Sequence, residues 1–319
     1  MNHAETAGTD SQKRRRLEAL IEGRLPDRTP VLFWRHFPAG GTGRELARGT
    51  AWFYRRYDAD AAKVMPDIPF TMPLGSVTKE GDWDYVQVAG PDRSRAAAEY
   101  VLAARETRRL IGPEAPLLVT LFTPLMYAFE LRGLDTPERL LEDSPPRVHH
   151  ALEALAASVI AIGRALLAAG ADGIYLSVWG ADVLPPAAFA EFGRPYDLAV
   201  VDALREGALN ILHVHGGPGL RLEQVADYPL PLVSWSSMAT GISLEEGLGR
   251  LGGRVPVGGA PESGTAVTAE GADELATALE STLVWAQARQ QPMLLAPGCS
   301  LPDQVPDSVL DALRQAVGT

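Results

Sequence analysis

Cysteine is nearly absent: Cys299 is the single such residue in 319. An intrachain disulfide is therefore excluded, and packing, reactivity or metal ligation remain as its roles. No run of 18 apolar residues occurs, and the polar N-terminus lacks an apolar signal core. The sequence thus predicts neither a membrane span nor a secretory leader and points to the cytoplasm. Positive charge is in deficit, with a formal net charge of −11 spread along the chain, which argues against a nucleic-acid or anionic-membrane partner. The one basic run, Lys13 to Arg16, opens a predicted helix and reads as its solvated first turn. A dinucleotide-type phosphate turn is missing as well. Gly40-Gly41-Thr42-Gly43 follows the first predicted strand at a distance, lacks G-x-G-x-x-G spacing, and reads as a flexible loop. No internal repeat at solenoid periods is found.

What is present is an ordinary globular composition, 46% hydrophobic and 22% charged, long enough to bury a large core without staples. Residues 1–11 are small and polar and are expected to be disordered. From residue 12 to 319 the chain alternates between short apolar runs and longer amphipathic stretches. Strands are predicted at 31–34, 62–68, 117–122, 173–178, 210–215, 231–237, 255–259 and 292–296, each bounded by Gly, Pro or polar residues. Helices are predicted over 96–111, 150–169, 186–206, 269–289 and 307–317, with Gly170 ending the second. About eight strands with intervening helices and no composition break predict one domain, a single (β/α)8 TIM barrel, over a doubly wound sheet.

In such a barrel the residues just past each strand line the active site. That rule selects Arg35 and His36, Asp67, Tyr127, Trp179 and Asp182, His213 and His215, and Cys299. In LHVHGG the two histidines alternate on a strand and point to one face. Two imidazoles and a thiolate converging on one point would make a zinc site with an open position. The alternative is a loop-orienting histidine, a substrate-bonding histidine and a small buried cysteine. Asp67 is either a functional carboxylate in apolar surroundings or a turn residue capping backbone amides. Arg35 either clamps a substrate carboxylate or forms a surface ion pair. Tyr127 and Trp179 face substrate or belong to the core. The His149-His150 pair reads as solvated surface.

Segments spread over nearly the whole chain resemble the uroporphyrinogen decarboxylase superfamily. RRRLEALIEGRLPDRTPVLFWR is similar to its opening helix, turn and first strand, and DAAKVMPDIPFTMPLG to the motif that holds its catalytic aspartate. LVTLFTPLMYAFELRG, GADGIYLSVWGADVLPPAAFAEFGRPY and LLAPGCSLPDQVPDSVLDAL resemble later family motifs in order and spacing. The resemblance implies a catalytic Asp67, an active-site Tyr127 and a retained Arg35 at the substrate; His36, Trp179 and Asp182, selected by their strand-end positions, are expected around the substrate as well. Two departures stand out. Where the decarboxylases have a second arginine this chain has Ala39, and their last-loop histidine is Cys299 here. The superfamily's zinc-dependent corrinoid/thiol methyltransferases use H-x-C and a last-loop cysteine, so His213, His215 and Cys299 resemble that branch with one cysteine replaced by histidine.

Three functional expectations follow from the resemblance. The first is a zinc enzyme transferring a methyl group to a metal-activated thiol or related small substrate. A methyl-corrinoid, on a corrinoid protein or free, would be the donor. The second is a metal-free decarboxylase of a pyrrolic or small carboxylate, centred on Asp67. The third is a non-catalytic corrinoid- or tetrapyrrole-binding protein. A homodimer is expected by family analogy alone.

Overall fold

The structure, a computed structural model, describes residues 3–37, 41–68 and 77–318, with side chains from residue 9 onward. Among them, seven parallel strands pair in strict chain order. They are β1 (Ala62–Val64), β2 (Leu117–Phe122), β3 (Gly173–Val178), β4 (Ile211–Val214), β5 (Leu232–Ser234), β6 (Val255–Ala260) and β7 (Leu294–Pro297). Sequential order with parallel pairing requires a crossover after every strand, and a twisted sheet built this way curls. The helices are α1 (His3–Ile21) and α2 (Gly43–Tyr57), which precede β1; α3 (Arg95–Ile111), α4 (Pro124–Arg132), α5 (Pro145–Ala168), α6 (Pro186–Phe192), α7 (Arg194–Ala203), α8 (Ser237–Thr240), α9 (Leu244–Leu251) and α10 (Ala272–Ala288), which lie in the crossovers; and α11 (Asp307–Ala316), which follows β7.

Strand alternation sorts the core into two faces. Leu118, Tyr175, Ile211, Leu232, Val255, Val257, Leu294 and Ala296 form one buried cluster on the inner face. Their alternates, including Val119, Leu176, Leu212 and Val233, pack outward into the large cluster shared with the helices. Leu17 and Leu20 of α1 join the inner cluster beside Leu209, Ile211 and Leu232. This places α1 across the amino-terminal ends of the strands.

Several expectations are corrected. The 31–34 segment makes single parallel bridges, Val31 to Leu295 and Arg35 to Leu301, in place of a regular strand. Its backbone still bonds β7 (Leu32 N–H to the Leu295 carbonyl, 2.9 Å), and its Val31 carbonyl accepts from Asp60 N–H at 2.8 Å. The expected strand 62–68 stops at Val64, because Pro66 cannot donate to a ladder. α1 begins at His3, within the small polar stretch. Asp10 there accepts a 2.6 Å hydrogen bond from Tyr54. The basic run is not a solvated turn either. Lys13 pairs with Asp58 at 2.6 Å, Arg14 with Asp172 at 2.9 Å, and Arg16 with Asp27 and Asp60, so it anchors α1 to the body.

The single helix expected over 186–206 is broken into α6 and α7 at Gly193, and Gly43 of the glycine-rich stretch opens α2 behind the N-cap Thr42. α5 begins five residues before the predicted 150, so His149 lies inside it. It stacks on Phe192 (4.9 Å) and bonds the Tyr196 hydroxyl (2.7 Å), departing from the solvated reading. By length and composition α5 would suffice to cross a membrane, but Val148, Leu152, Leu155, Val159, Ile162 and Leu166 pack it into the main core.

Candidate active site

The chemistry-bearing residues collect at the carboxyl ends of the strands. β4 carries His213 and, one residue past its end, His215 on the same face. The loop after β7 brings Cys299 to them, so one potential ligand atom from each residue lies within 4.8 Å of the others. Tyr175, in register with Ile211 on the neighbouring strand, lies under the cluster and stacks on His213 at 5.5 Å. Its hydroxyl donates to Ser234 Oγ at 3.1 Å, and His213 Nδ1 sits 3.2 Å from that same Oγ. These partners fix the His213 ring and leave Nε2 as its free ligand atom.

Burial, aided by the neighbouring His215 and Lys63, pushes His213 down to about 3. Burial also lowers His215, with the Asp182 charge opposing. Both rings are therefore held neutral, the form that ligates a metal. The Cys299 thiol is raised by burial, against the pull of the Ser300 N–H and Lys63. A metal ion would supply the charge that favours the thiolate. Two neutral nitrogens and one sulfur thus fit zinc in number and kind.

Trp179 packs edge-on against His215 at 5.7 Å. Gly180 permits the turn behind it, with φ +126°. Asp182 accepts from Gly217 N–H at 2.9 Å, holding the loop after His215, while its buried Oδ1 has no partner among the described residues.

Next to Cys299 stands a second constellation. Asp67 is 2.5 Å from His36 Nδ1 and accepts from Phe37 N–H at 2.8 Å. His36 Nε2 reaches Ser300 Oγ at 3.3 Å. The Asp67 hydrogen bond raises the His36 pKa above its ordinary value. Asp67, buried and doubly bonded, thus orients His36, the solvent-facing partner able to exchange a proton.

Arg35 departs from its expected place. Trp34 and His36 face inward, so alternation turns Arg35 outward. Its guanidinium donates to the Asp303 carbonyl at 3.0 Å and lies over the rings of Phe37 and Phe53. Tyr127, on α4, is buried and lines a side cavity that none of His213, His215 and Cys299 lines. Ala39 falls outside the described residues.

Two site residues escaped sequence reasoning. Lys63 is fully enclosed on β1, its ammonium 4.4 Å from the Trp34 ring centroid, 4.3 Å from that of Tyr175 and 3.0 Å from Met65 Sδ. Desolvation brings it down to about 7. A lysine inside the apolar run AAKVMP was the available signal. Glu262, buried just past β6, accepts from Ser236 Oγ and from Gly298 N–H, bracing the backbone before Cys299. The strand-end rule, extended to that strand, would have found it.

A curled parallel α/β sheet with its polar cluster at the carboxyl strand ends has the architecture of a TIM-barrel-like enzyme. The family model for uroporphyrinogen decarboxylase (URO-D) matches residues 39–319, and the chain belongs to that family. Uroporphyrinogen decarboxylase of Aromatoleum aromaticum is 33% identical over 198 residues, covering 54% of this chain and 55% of that protein. The enzyme of Colwellia psychrerythraea is 27% identical over 234 residues, covering 64% of each. The chain thus spans about half the length of the first and under two thirds of the second. Among solved structures, a methyltransferase from Methanosarcina mazei superposes with TM-score 0.78 at 18% identity, covering 95% of this chain and 97% of its own. A B12-independent methionine synthase from Shewanella sp. W3-18-1, in complex with selenomethionine, reaches 0.58 at 15% identity, covering 90% and 95%. Both likenesses concern the fold.

Proposed function

We propose that this chain is a zinc-dependent methyltransferase of the URO-D superfamily, acting on a thiol or related small substrate with a methyl-corrinoid as donor. The observation that carries the reading is the convergence of His213, His215 and Cys299 to within 4.8 Å. The fold likeness to a protein named as a methyltransferase accords with it. Zinc held there would supply Lewis acidity, favouring the ionised form of a bound thiol.

The chain's own residues do the rest. Tyr175 and Ser234 hold the His213 ring in one orientation, Asp182 holds the loop that follows His215, and Glu262 fixes the backbone leading to Cys299. His36, oriented by Asp67, stands beside Ser300 to take up or return the substrate's proton. We also read 31–35 as the eighth strand position, closing the sheet between β7 and β1, because its backbone bonds reach both sides.

Decarboxylation is favoured by family membership and by the Asp67–His36 pair. Arg35, the expected carboxylate clamp, faces away from the centre. Elemental analysis of untagged protein, beside His215→Ala, tests the proposal. About one zinc per chain, lost in the variant, is expected for a site of this donor set, together with methylation of a thiol by methylcobalamin. A folded sample that holds no zinc and rejects added zinc refutes it.

A further inference from the structure

Beside the candidate centre lies a cavity of about 190 Å³, walled by Tyr100, Phe122 and Tyr127, with Thr120 and Glu130 among its polar lining. It occupies the gap that opens between the strands because β1 ends at Val64 while β2 continues to Phe122. Among the described residues no lysine, arginine or histidine lines it, so they offer no cation to neutralise an anion. The Tyr100 hydroxyl is already engaged by backbone: its one proton is shared between the Val64 and Thr120 carbonyls, and it accepts from Thr120 N–H. Glu130 stands at the rim, reached by solvent, and forms no ion pair among the described residues.

We propose that this cavity binds a small alkylammonium cation, its alkyl groups against the three rings and its charge facing Glu130. Aromatic faces attract a desolvated cation through the ring quadrupole, and a nearby carboxylate completes the recognition. The volume falls below that of drug-sized pockets, which limits the ligand to a few heavy atoms around the charge. The inference stands apart from the metal-centre reading: none of these groups is a proposed metal ligand, and its test requires no metal.

The test is isothermal titration of the full chain with choline and with 3,3-dimethyl-1-butanol, its neutral isostere. Apolar packing raises Glu130 to about 7, so titration at about pH 8 keeps its carboxylate ionised. Choline is expected to bind about tenfold more tightly than the isostere, equivalent to roughly 1.4 kcal/mol. Glu130→Gln, a rim substitution of equal size whose folding is checked by circular dichroism, is expected to abolish most of that preference. Equal binding of the two probes, absence of choline binding, or an unchanged preference in Glu130→Gln would overturn the proposal.

Discussion

Replacing Lys63 with Met should make the protein more stable while impairing it. The lysine is 5% exposed, and its pKa falls from 10.5 to about 7 because burial penalises the charged form. At 1.36 kcal/mol per unit, a shift of that size corresponds to about 5 kcal/mol of unfavourable burial below neutral pH. Stacking of the ammonium on Trp34 and Tyr175 returns roughly 1–2 kcal/mol, leaving a net gain of about 3 kcal/mol for an apolar side chain of similar length. With an unfolding entropy of about 2.1 cal/mol/K per residue, each kcal/mol moves the midpoint of a chain this long by about 1.5 °C. Lys63→Met should therefore melt about 4–5 °C higher at neutral pH. The sign in pH follows from the depressed value. Unfolding takes up a proton between about 7 and 10.5, so wild-type stability from this group rises with pH across that window. The variant should lose that rise. Thermal melts at several pH values read both effects, and thiol methylation should fall because the amine supports Tyr175 beneath His213. A variant that melts at or below wild type, or that keeps the same alkaline rise, would refute the reasoning.

Asp60 is fully buried and accepts from Arg16, from both terminal nitrogens of Arg28 and from Val31 N–H. Asp60→Ala strands the partly buried Arg28 guanidinium, leaves Arg16 with Asp27 alone, and should cost about 3–5 kcal/mol, read by urea unfolding. Asp67→Asn weakens the bond that raises the His36 pKa, so that value should fall toward its ordinary range. Turnover should drop roughly 100-fold, with the His36 shift read by NMR titration and the rate by the methylation assay. Gly247 sits where an added Cβ would lie 2.1 Å from the buried Trp235 ring. Gly247→Ala should destabilise by about 1–3 kcal/mol through overpacking, measured as a lower denaturant midpoint.

The order of short apolar strands and amphipathic helices is a local property, so periodicity placed the seven strands and the α/β class, while the eighth expected strand, 31–34, makes only isolated bridges. The same pattern put His213 and His215 on one face, because alternation along a strand is fixed by backbone geometry. Lengths and boundaries were less legible. Pro66 ended β1 early, Gly193 split a helix, and the polar start of α1 became helical through distant partners on Tyr54, Asp58 and Asp172. Tertiary structure alone could bring Cys299, more than 80 residues away, to the histidines, since that contact depends on the curl of the sheet. It also decided that Arg35 faces outward, that Asp67 is bonded by His36, and that Lys63 is enclosed between two aromatic rings. Each of these rests on which neighbours pack around a side chain, and residue type and spacing do not specify those neighbours.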